Sequence, residues 1–178
     1  MIVIMAGLPG TGKSTLAQAL ATRLSGRVLS KDVVRHALFS EPEIEYSTEQ
    51  DDFVMQVMLR TASWMLQKDP TRVVFLDGRP FSRRHQLDLA LKACDELGQP
   101  WRILECGCSE ETARQRIEDQ AASGVHPASN RDFQLYREVK ARFESITLSK
   151  TVIDTDLALE ICVERALNAV RTAEVADP

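Results

Sequence analysis

One segment near the start of the sequence has a spacing suited to holding phosphate groups. Its eight residues, Gly7 to Ser14, read Gly-Leu-Pro-Gly-Thr-Gly-Lys-Ser. Glycines in such a loop permit backbone conformations that a Cβ would block, so successive N–H groups can point at phosphate oxygens. Lys13 adds a positive charge for the β- and γ-phosphates, and the hydroxyl of Ser14 suits Mg²⁺. The loop therefore predicts a binding site for a nucleoside triphosphate and Mg²⁺.

The flanking segments support this interpretation over a glycine-rich turn with an incidental lysine. An apolar strand, Ile2–Ala6, precedes the loop, and an amphipathic helix follows it. This strand–loop–helix context is what the phosphate-binding motif requires. We expect Lys13 to be catalytic and to point into a solvated loop. The residues expected to contact the nucleotide are Gly7, Pro9, Gly10, Thr11, Gly12, Lys13, Ser14 and Thr15.

A carboxylate, Asp77, follows another apolar run at Val73–Leu76. The carboxyl ends of strands in open α/β sheets are where ligands bind. Mg²⁺ at a triphosphate is usually held through a carboxylate and water. We therefore predict Ser14 and Asp77 as the metal-binding residues; the alternative is that Asp77-Gly78 forms an ordinary turn.

Asp32 and Arg35 lie three residues apart at the start of a predicted helix. This spacing places them on one face of the helix. Asp32 would accept a proton from an acceptor hydroxyl or orient it, and Arg35 would hold the acceptor's charged or polar part. The alternative is structural, with Asp32 as a helix cap and Arg35 as its surface partner.

From the glycine loop to the last strand, about the first 155 residues, the chain resembles the small P-loop kinases grouped around bacteriophage polynucleotide kinase. Gluconate kinase, chloramphenicol phosphotransferase and zeta-type toxins are similar cousins. The resemblance implies that Asp32 is the general base in transfer of the γ-phosphate of ATP to a hydroxyl group. It also implies a catalytic lid arginine, Arg116. The motifs that carry the resemblance are Gly7–Ser14, Asp32-Val33-Val34-Arg35, Asp77 and Arg116 with the lid-like segment Gln120–Asn130.

The sequence departs from this family at one lid position. Members often carry a second arginine one helical turn after the first, where this chain has Gln120. Cations around the transferring phosphoryl group strongly affect its rate. Either Arg114 or Arg131 replaces the missing arginine, or the lid is less catalytic here. We favour Arg131 as a further catalytic residue, because it follows the flexible stretch and opens the next helix.

A cluster of arginines follows Asp77 in the sequence. It would suit an anionic acceptor such as a phosphate or carboxylate; a solvated helix face is the alternative. The cluster comprises Arg79, Arg83 and Arg84.

Strand-like and helix-like stretches alternate along the chain. The strands are short, rich in Val, Ile and Leu, and lack polar alternation, which is typical of strands buried on both faces of a parallel sheet. We predict an α/β fold of P-loop NTPase type: a five-stranded parallel sheet with helices on both faces and a small arginine-bearing lid. One domain would span residues 1–178, with its lid at about residues 114–132. The predicted strands are Ile2–Ala6, Val28–Leu29, Val73–Leu76, Arg102–Cys106 and Thr151–Asp154. The predicted helices are Lys13–Leu24, Asp32–Leu38, one after Ser47, Arg83–Leu97, one after Ser109, Arg131–Phe143 and Leu157–Arg171.

Composition limits the partners of this chain. Among its 178 residues no apolar run approaches the ~20 residues that span a bilayer, so no membrane is expected. Met1–Ala6 lacks a basic lead and is typical of a core strand rather than a signal peptide. The net charge of -4 does not favour a nucleic-acid partner. Four cysteines without metal or redox spacing fit a reducing cytoplasm.

These observations predict a cytoplasmic kinase that uses ATP and Mg²⁺ on a small hydroxyl-bearing substrate. A polynucleotide 5′-hydroxyl kinase and a nucleotide-dependent switch or ATPase are the alternatives. The sequence leaves open the acceptor's identity, ATP against GTP, and a monomer against a homodimer.

Overall fold

A central parallel sheet organises the protein. The structure, a computed structural model, describes residues 1–123 and 132–172. All strand pairs are parallel, in the order β2-β3-β1-β4-β5, so β1 lies at the centre. The strands are β1 (Ile2–Ala6), β2 (Arg27–Ser30), β3 (Val74–Asp77), β4 (Trp101–Gly107) and β5 (Thr151–Asp154).

Helices connect the strands, and a short 3₁₀ turn at Glu41–Glu43 follows the second helix. The helices are α1 (Lys13–Leu24), α2 (Lys31–Leu38), α3 (Thr48–Lys68), α4 (Arg84–Glu96), α5 (Glu110–Ser123), α6 (Phe133–Ala141) and α7 (Leu159–Arg171). In the described residues, no helix has both the length and the apolar character needed to cross a membrane.

Successive residues of β1 pack into opposite apolar layers. Ile2 and Ile4 belong to a layer with residues of α3 and α4, and Val3 and Met5 belong to a layer with residues of α1 and α7. Side chains alternate across a strand, so a strand covered on both faces must be apolar throughout. The predicted five-stranded parallel sheet with helices on both faces is confirmed.

Parallel pairing brings the carboxyl ends of several strands to one edge of the sheet. The glycine loop follows β1, α2 follows β2, and Asp77 ends β3. The register pairs Ser30 with Asp77, so the start of α2 lies beside that carboxylate. This edge collects the segments that the sequence marked for chemistry.

The ends of several elements differ from the prediction. Two strands and α1 coincide with it, whereas β2, β3 and β4 differ by one residue at either end. The predicted helix Arg131–Phe143 is shorter and begins at Phe133, because the carboxylate of Asp132 accepts a hydrogen bond from the Leu135 N–H at 2.7 Å and caps it.

The segment predicted as a lid is partly helical. α5 continues to Ser123, so Gln120 lies within a helix rather than at the start of a loop. Residues 124–131, including Arg131, lie outside the described part of the chain.

Candidate functional site

The glycine loop leads directly into the amino end of α1. Gly12 is the N-cap residue, with φ of 76°, a left-handed conformation that favours glycine. Its hydrogen side chain supplies no cap, so the first N–H groups of α1 remain available to a ligand. Such a helix start carries partial positive charge and suits an anion.

Lys13 is buried rather than solvated, which corrects the expectation from the sequence. The residue is 6% exposed, and its Nζ donates to the Leu8 carbonyl at 2.6 Å. The Thr11 hydroxyl donates to the same carbonyl at 2.7 Å. The loop thus folds back over the lysine, which places the ammonium group inside the cradle.

A cavity of about 290 Å³ opens on one side of the loop. Its walls come from the loop, α1, α5 and the β5–α7 connection. The lining residues include Gly10, Gly12, Lys13, Ser14, Thr15, Leu16, Arg116, Gln120, Thr155, Leu157, Leu159 and Cys162. We call it the α1–α7 cavity.

Arg116 joins three parts of this wall. Its Nη2 donates to the Thr155 carbonyl at 2.7 Å, and its Nη1 donates to the Thr155 hydroxyl at 3.2 Å. That hydroxyl in turn lies 3.0 Å from the Thr11 carbonyl, to which it donates. The predicted lid arginine is therefore anchored beside the glycine loop, at the α1–α7 cavity.

A second cavity opens on the other side of Lys13 and Ser14. It lies among the glycine loop, α2, α3, the β3–α4 connection and α6. Its lining residues are Pro9, Lys13, Ser14, Lys31, Asp32, Arg35, Tyr46, Asp51, Gly78, Pro80, Leu135, Val139 and Arg142. We call it the α2–α6 cavity. The two cavities share Lys13 and Ser14, so the phosphate cradle lies between them.

Asp51 on α3 is the centre of a charged network in the α2–α6 cavity. Both of its oxygens accept from Lys31 Nζ, at 2.8 and 2.7 Å, and Oδ1 also pairs with Arg35 Nη2. Arg35 Nη1 donates to Asp32 Oδ1 at 3.2 Å. The Asp32 Oδ2 atom accepts no hydrogen bond from a described residue. Asp32 is thus paired through one oxygen, and the residue lines the cavity.

Arg35 is buried within this network. Its side chain is 1% exposed, and its guanidinium lies 5.0 Å from the centre of the Tyr46 ring. Two carboxylates and an aromatic face therefore surround it. Burial lowers the pKa of Lys31, and the attraction of Asp51 opposes that shift. Asp51 has no local signal in the sequence, because a charged residue at its position in an amphipathic helix is typical of a solvated face.

Asp77 is the last residue of β3, at the carboxyl edge of the sheet. The residue is 2% exposed, and its Oδ1 has no hydrogen-bond partner among the described residues. A buried carboxylate oxygen without a partner is costly, and a cation offsets that cost. The following Gly78 has φ of 93°, and a Cβ there would lie 2.9 Å from Lys31 N. The residues present fit a magnesium ion at this edge.

The arginines that follow Asp77 in the sequence each pair with a carboxylate. Arg79 is buried and its Nη2 lies 2.6 Å from Asp52 Oδ1. Arg83 pairs with Glu144 at 3.0 Å, and Arg84 pairs with Asp88 at 2.9 Å. The three side chains are thus held by three different carboxylates, and none of them lines the α2–α6 cavity.

Arg114 is one of the two arginines that could replace the missing lid arginine. Its guanidinium lies 4.3 Å from the centre of the Phe133 ring. It lines neither cavity. Another arginine, Arg142, follows the last residue of α6 and lines the α2–α6 cavity. The sequence has no local signal for this position.

The parallel sheet, the uncapped helix start and the buried lysine together define a P-loop nucleotide-binding fold. The chain belongs to the family described as the AAA domain, whose model matches residues 2–146. A comparison with curated protein sequences found no match.

Solved structures of small kinases share this fold. The APS kinase of Mycobacterium tuberculosis, solved with AMPPNP and APS, has 17% identity and a TM-score of 0.70, and the alignment covers 96% of each chain. A gluconokinase of Sinorhizobium meliloti has 17% identity and a TM-score of 0.67, covering 97% of this chain and 93% of its own. A sugar kinase of Janibacter sp. has 19% identity and a TM-score of 0.66, covering 99% and 98%.

Proposed function

We propose that the protein transfers the γ-phosphate of ATP to a hydroxyl group of a small molecule. The observation that carries this proposal is the arrangement of two cavities that meet at Lys13 and Ser14, with a carboxylate, Asp32, lining the second. A donor phosphate in the cradle and an acceptor in the second cavity would face each other there. Positioning of this kind is the main source of rate in phosphoryl transfer.

The α1–α7 cavity suits the nucleotide. The first N–H groups of α1 and the Lys13 ammonium would hold the phosphates. Arg116 would contribute a further cation, and Arg131 remains a proposed second one. Ser14 and Asp77 would hold Mg²⁺, which supplies neutralisation of phosphate charge when bound.

The α2–α6 cavity suits the acceptor, and Asp32 is the proposed general base. The acceptor oxygen forms a bond to the γ-phosphorus, the bond from that phosphorus to the ADP oxygen breaks, and the acceptor proton passes to the free oxygen of Asp32. Arg35 pairs with Asp32 and keeps its carboxylate in one orientation. The sequence predicted that Arg35 also holds the acceptor directly. This role is less favoured, because its guanidinium already contacts two carboxylates and the Tyr46 ring.

Several observations support this function over the alternatives. The structural neighbours include an APS kinase, a gluconokinase and a sugar kinase. A separate cavity on the far side of the cradle is more useful to a transferase than to a switch that only hydrolyses its nucleotide. The net charge of -4 argues against a long polyanionic strand as acceptor. ATP as donor and four free thiols fit a cytoplasmic protein.

The test is ATP turnover by the wild type and Asp32→Asn, with water alone and with a panel of sugars, alcohols, nucleosides, antibiotics and a 5′-hydroxyl oligonucleotide. A kinase should turn over little ATP without acceptor. General-base catalysis contributes about 10²–10⁴-fold, so Asp32→Asn should lower kcat by a factor in that range. Its ATP Kd should stay within about twofold of the wild-type value, since Asp32 lies on the acceptor side.

Asp95→Asn is the matched control, because Asp95 is exposed on α4 and lines neither cavity. If Asp32→Asn transferred phosphate at the wild-type rate, Asp32 would be structural. If ATP were hydrolysed equally with and without every acceptor, the protein would be an ATPase.

A further inference from the structure

The cations of the α2–α6 cavity differ in how far they are already paired. Lys13 donates to the Leu8 carbonyl, Lys31 is bonded to both oxygens of Asp51, and Arg35 contacts Asp32 and Asp51. Arg142 is exposed, and its side chain makes no hydrogen bond or ion pair with a described residue. Arg142 is therefore the cation of this cavity that a ligand can engage without displacing a partner of the described chain.

The inner charges of the cavity balance one another. Two carboxylates, Asp32 and Asp51, are matched by two cations, Lys31 and Arg35. Lys13 lies in the phosphate cradle that the cavity shares with its neighbour. The positive charge left for an acceptor is therefore that of Arg142.

Arg142 continues an apolar stripe on α6. Leu135 and Val139 are four residues apart and lie on one face of α6, Arg142 directly follows the last residue of this helix, and all three line the cavity. Val139 is buried, and Leu135 is half-buried. This face therefore offers an apolar ridge that ends in a cation.

We propose that the acceptor carries an anionic group, a carboxylate or a phosphate, that Arg142 binds, with an apolar part of the acceptor along Leu135 and Val139. The hydroxyl that receives the phosphate then lies at Asp32, which lines the same cavity. A guanidinium pairs with carboxylate and phosphate through parallel hydrogen bonds, which explains why either group would serve. The inference rests on the proposed transfer of phosphate in this cavity, and it assigns to Arg142 the anion-binding role that the sequence placed on Arg79, Arg83 and Arg84.

The experiment compares acceptors that differ by one anionic group. The pairs are glycerol with glycerate, 4-methylbenzyl alcohol with 4-(hydroxymethyl)benzoate, and adenosine with adenosine 3′-monophosphate. Phosphorylation from Mg-ATP is measured by mass spectrometry for the wild type, Arg142→Ala and Arg142→Lys. Binding to protein loaded with AMPPNP and Mg²⁺ is measured separately by ligand-observed NMR, which needs no turnover.

Arg137→Ala is the matched control. Arg137 is an exposed arginine of the same helix, but its guanidinium lies 5.1 Å from the centre of the Phe133 ring and it does not line the cavity. We expect wild-type protein to prefer the anionic member of at least one pair. Arg142→Ala should raise the KM for that member by about ten- to a hundredfold with little change in kcat, as loss of a hydrogen bond to a charged group predicts. Arg142→Lys should recover part of the affinity, and the neutral members should be unaffected.

Two outcomes would overturn the inference: preferential phosphorylation of the neutral members, or an equal loss for both members in Arg142→Ala. Binding of an anionic member that Arg142→Ala abolishes, without phosphorylation of any compound, would keep Arg142 as an anion site and overturn the kinase proposal. Absence of both binding and phosphorylation for every anionic member would overturn the inference. The carboxylate pairs and the phosphate pair show which anion the site takes.

Discussion

At the scale of single residues, the cradle contains buried charges of both signs. Lys13 is 6% exposed and Asp77 is 2% exposed, and the Oδ1 atom of Asp77 has no partner among the described residues. Burying a charge is costly unless an opposite charge accompanies it. A ligand that brings phosphate and metal to this edge would place opposite charges beside Lys13 and Asp77, and removal of either side chain should change the stabilisation that the ligand gives.

Lys13→Met tests the cradle. Mg-ATP at one hundred times its Kd should raise the free energy of unfolding of the wild type by about 2.7 kcal/mol through mass action. The variant keeps much of the side-chain volume but loses the ammonium group, so most of this increase should disappear. Denaturant unfolding with and without Mg-ATP measures it, with the exposed Lys92→Met as control. A ligand-induced increase equal to that of the wild type would contradict the assignment.

Asp77→Asn tests the metal site. A neutral amide holds Mg²⁺ and its water less strongly than a carboxylate does. The variant should therefore need a higher Mg²⁺ concentration for half-maximal ATP turnover, whereas Asp95→Asn should not. Titration of Mg²⁺ at fixed ATP gives the two midpoints. An unchanged midpoint in Asp77→Asn would make Asp77 a turn residue.

At the scale of elements, one carboxylate joins α2 to α3. Asp51 on α3 pairs with both Lys31 and Arg35 of α2, and these two cations are almost fully buried. Asp32, the proposed base, is oriented through Arg35. The position of the base therefore depends on a helix that follows it in the chain.

Asp51→Ala should lower the free energy of unfolding by about 3 kcal/mol, because it leaves two buried cations without their main partner. The expected loss lies at the low end of the range for breaking a buried ion pair, because the side chain of Asp51 itself is 21% exposed. Asp88→Ala removes the partner of Arg84 from an exposed pair and should cost less than about 1 kcal/mol. Urea unfolding of both variants measures the difference. Equal effects would show that the network contributes no more than a surface ion pair.

At the scale of the whole molecule, thiols are buried in both apolar layers. Cys94 lies in the layer with α3 and α4, and Cys106 lies in the layer with α1 and α7. Burial raises the pKa of Cys94 to about 11 and that of Cys106 to about 12. Both thiols therefore keep their protons in the folded protein at a pH where the unfolded chain releases them.

Titration of these two thiols should lower the free energy of unfolding as the solution becomes alkaline. Below pH 9 a thiol is protonated in both states, so its contribution is constant. Above pH 9 the unfolded state binds fewer protons, and each such thiol lowers the free energy of unfolding by about 1.4 kcal/mol per pH unit until its folded pKa is reached.

Cys106→Ala should make this decline shallower by the share of one thiol. Urea unfolding from pH 7 to pH 10.5 gives the free energy of unfolding against pH for the wild type and the variant. As a control, the two curves should have the same slope below pH 8. Parallel curves above pH 9 would contradict the burial of an un-ionised Cys106.

The sequence by itself determined the features whose information is local. The glycine loop depends on the backbone conformations of consecutive residues, and the apolar runs depend on burial of both faces of a strand. Both features can therefore be predicted from a few neighbouring residues. The order of these segments with the intervening helices then predicts a parallel sheet. Ile2–Ala6, Thr151–Asp154 and the helix Lys13–Leu24 were therefore predicted with their observed ends.

The tertiary structure alone decided which distant side chains meet. Asp51 and Arg142 look like solvated positions of amphipathic helices, and only the tertiary structure brings them to one cavity with Asp32. The tertiary structure also decides the partners of three arginines that are neighbours in sequence. Each pairs with a different carboxylate: Arg79 with Asp52, Arg83 with Glu144 and Arg84 with Asp88. Charge pairing acts over a few ångströms in space regardless of separation along the chain, so residue order does not reveal it.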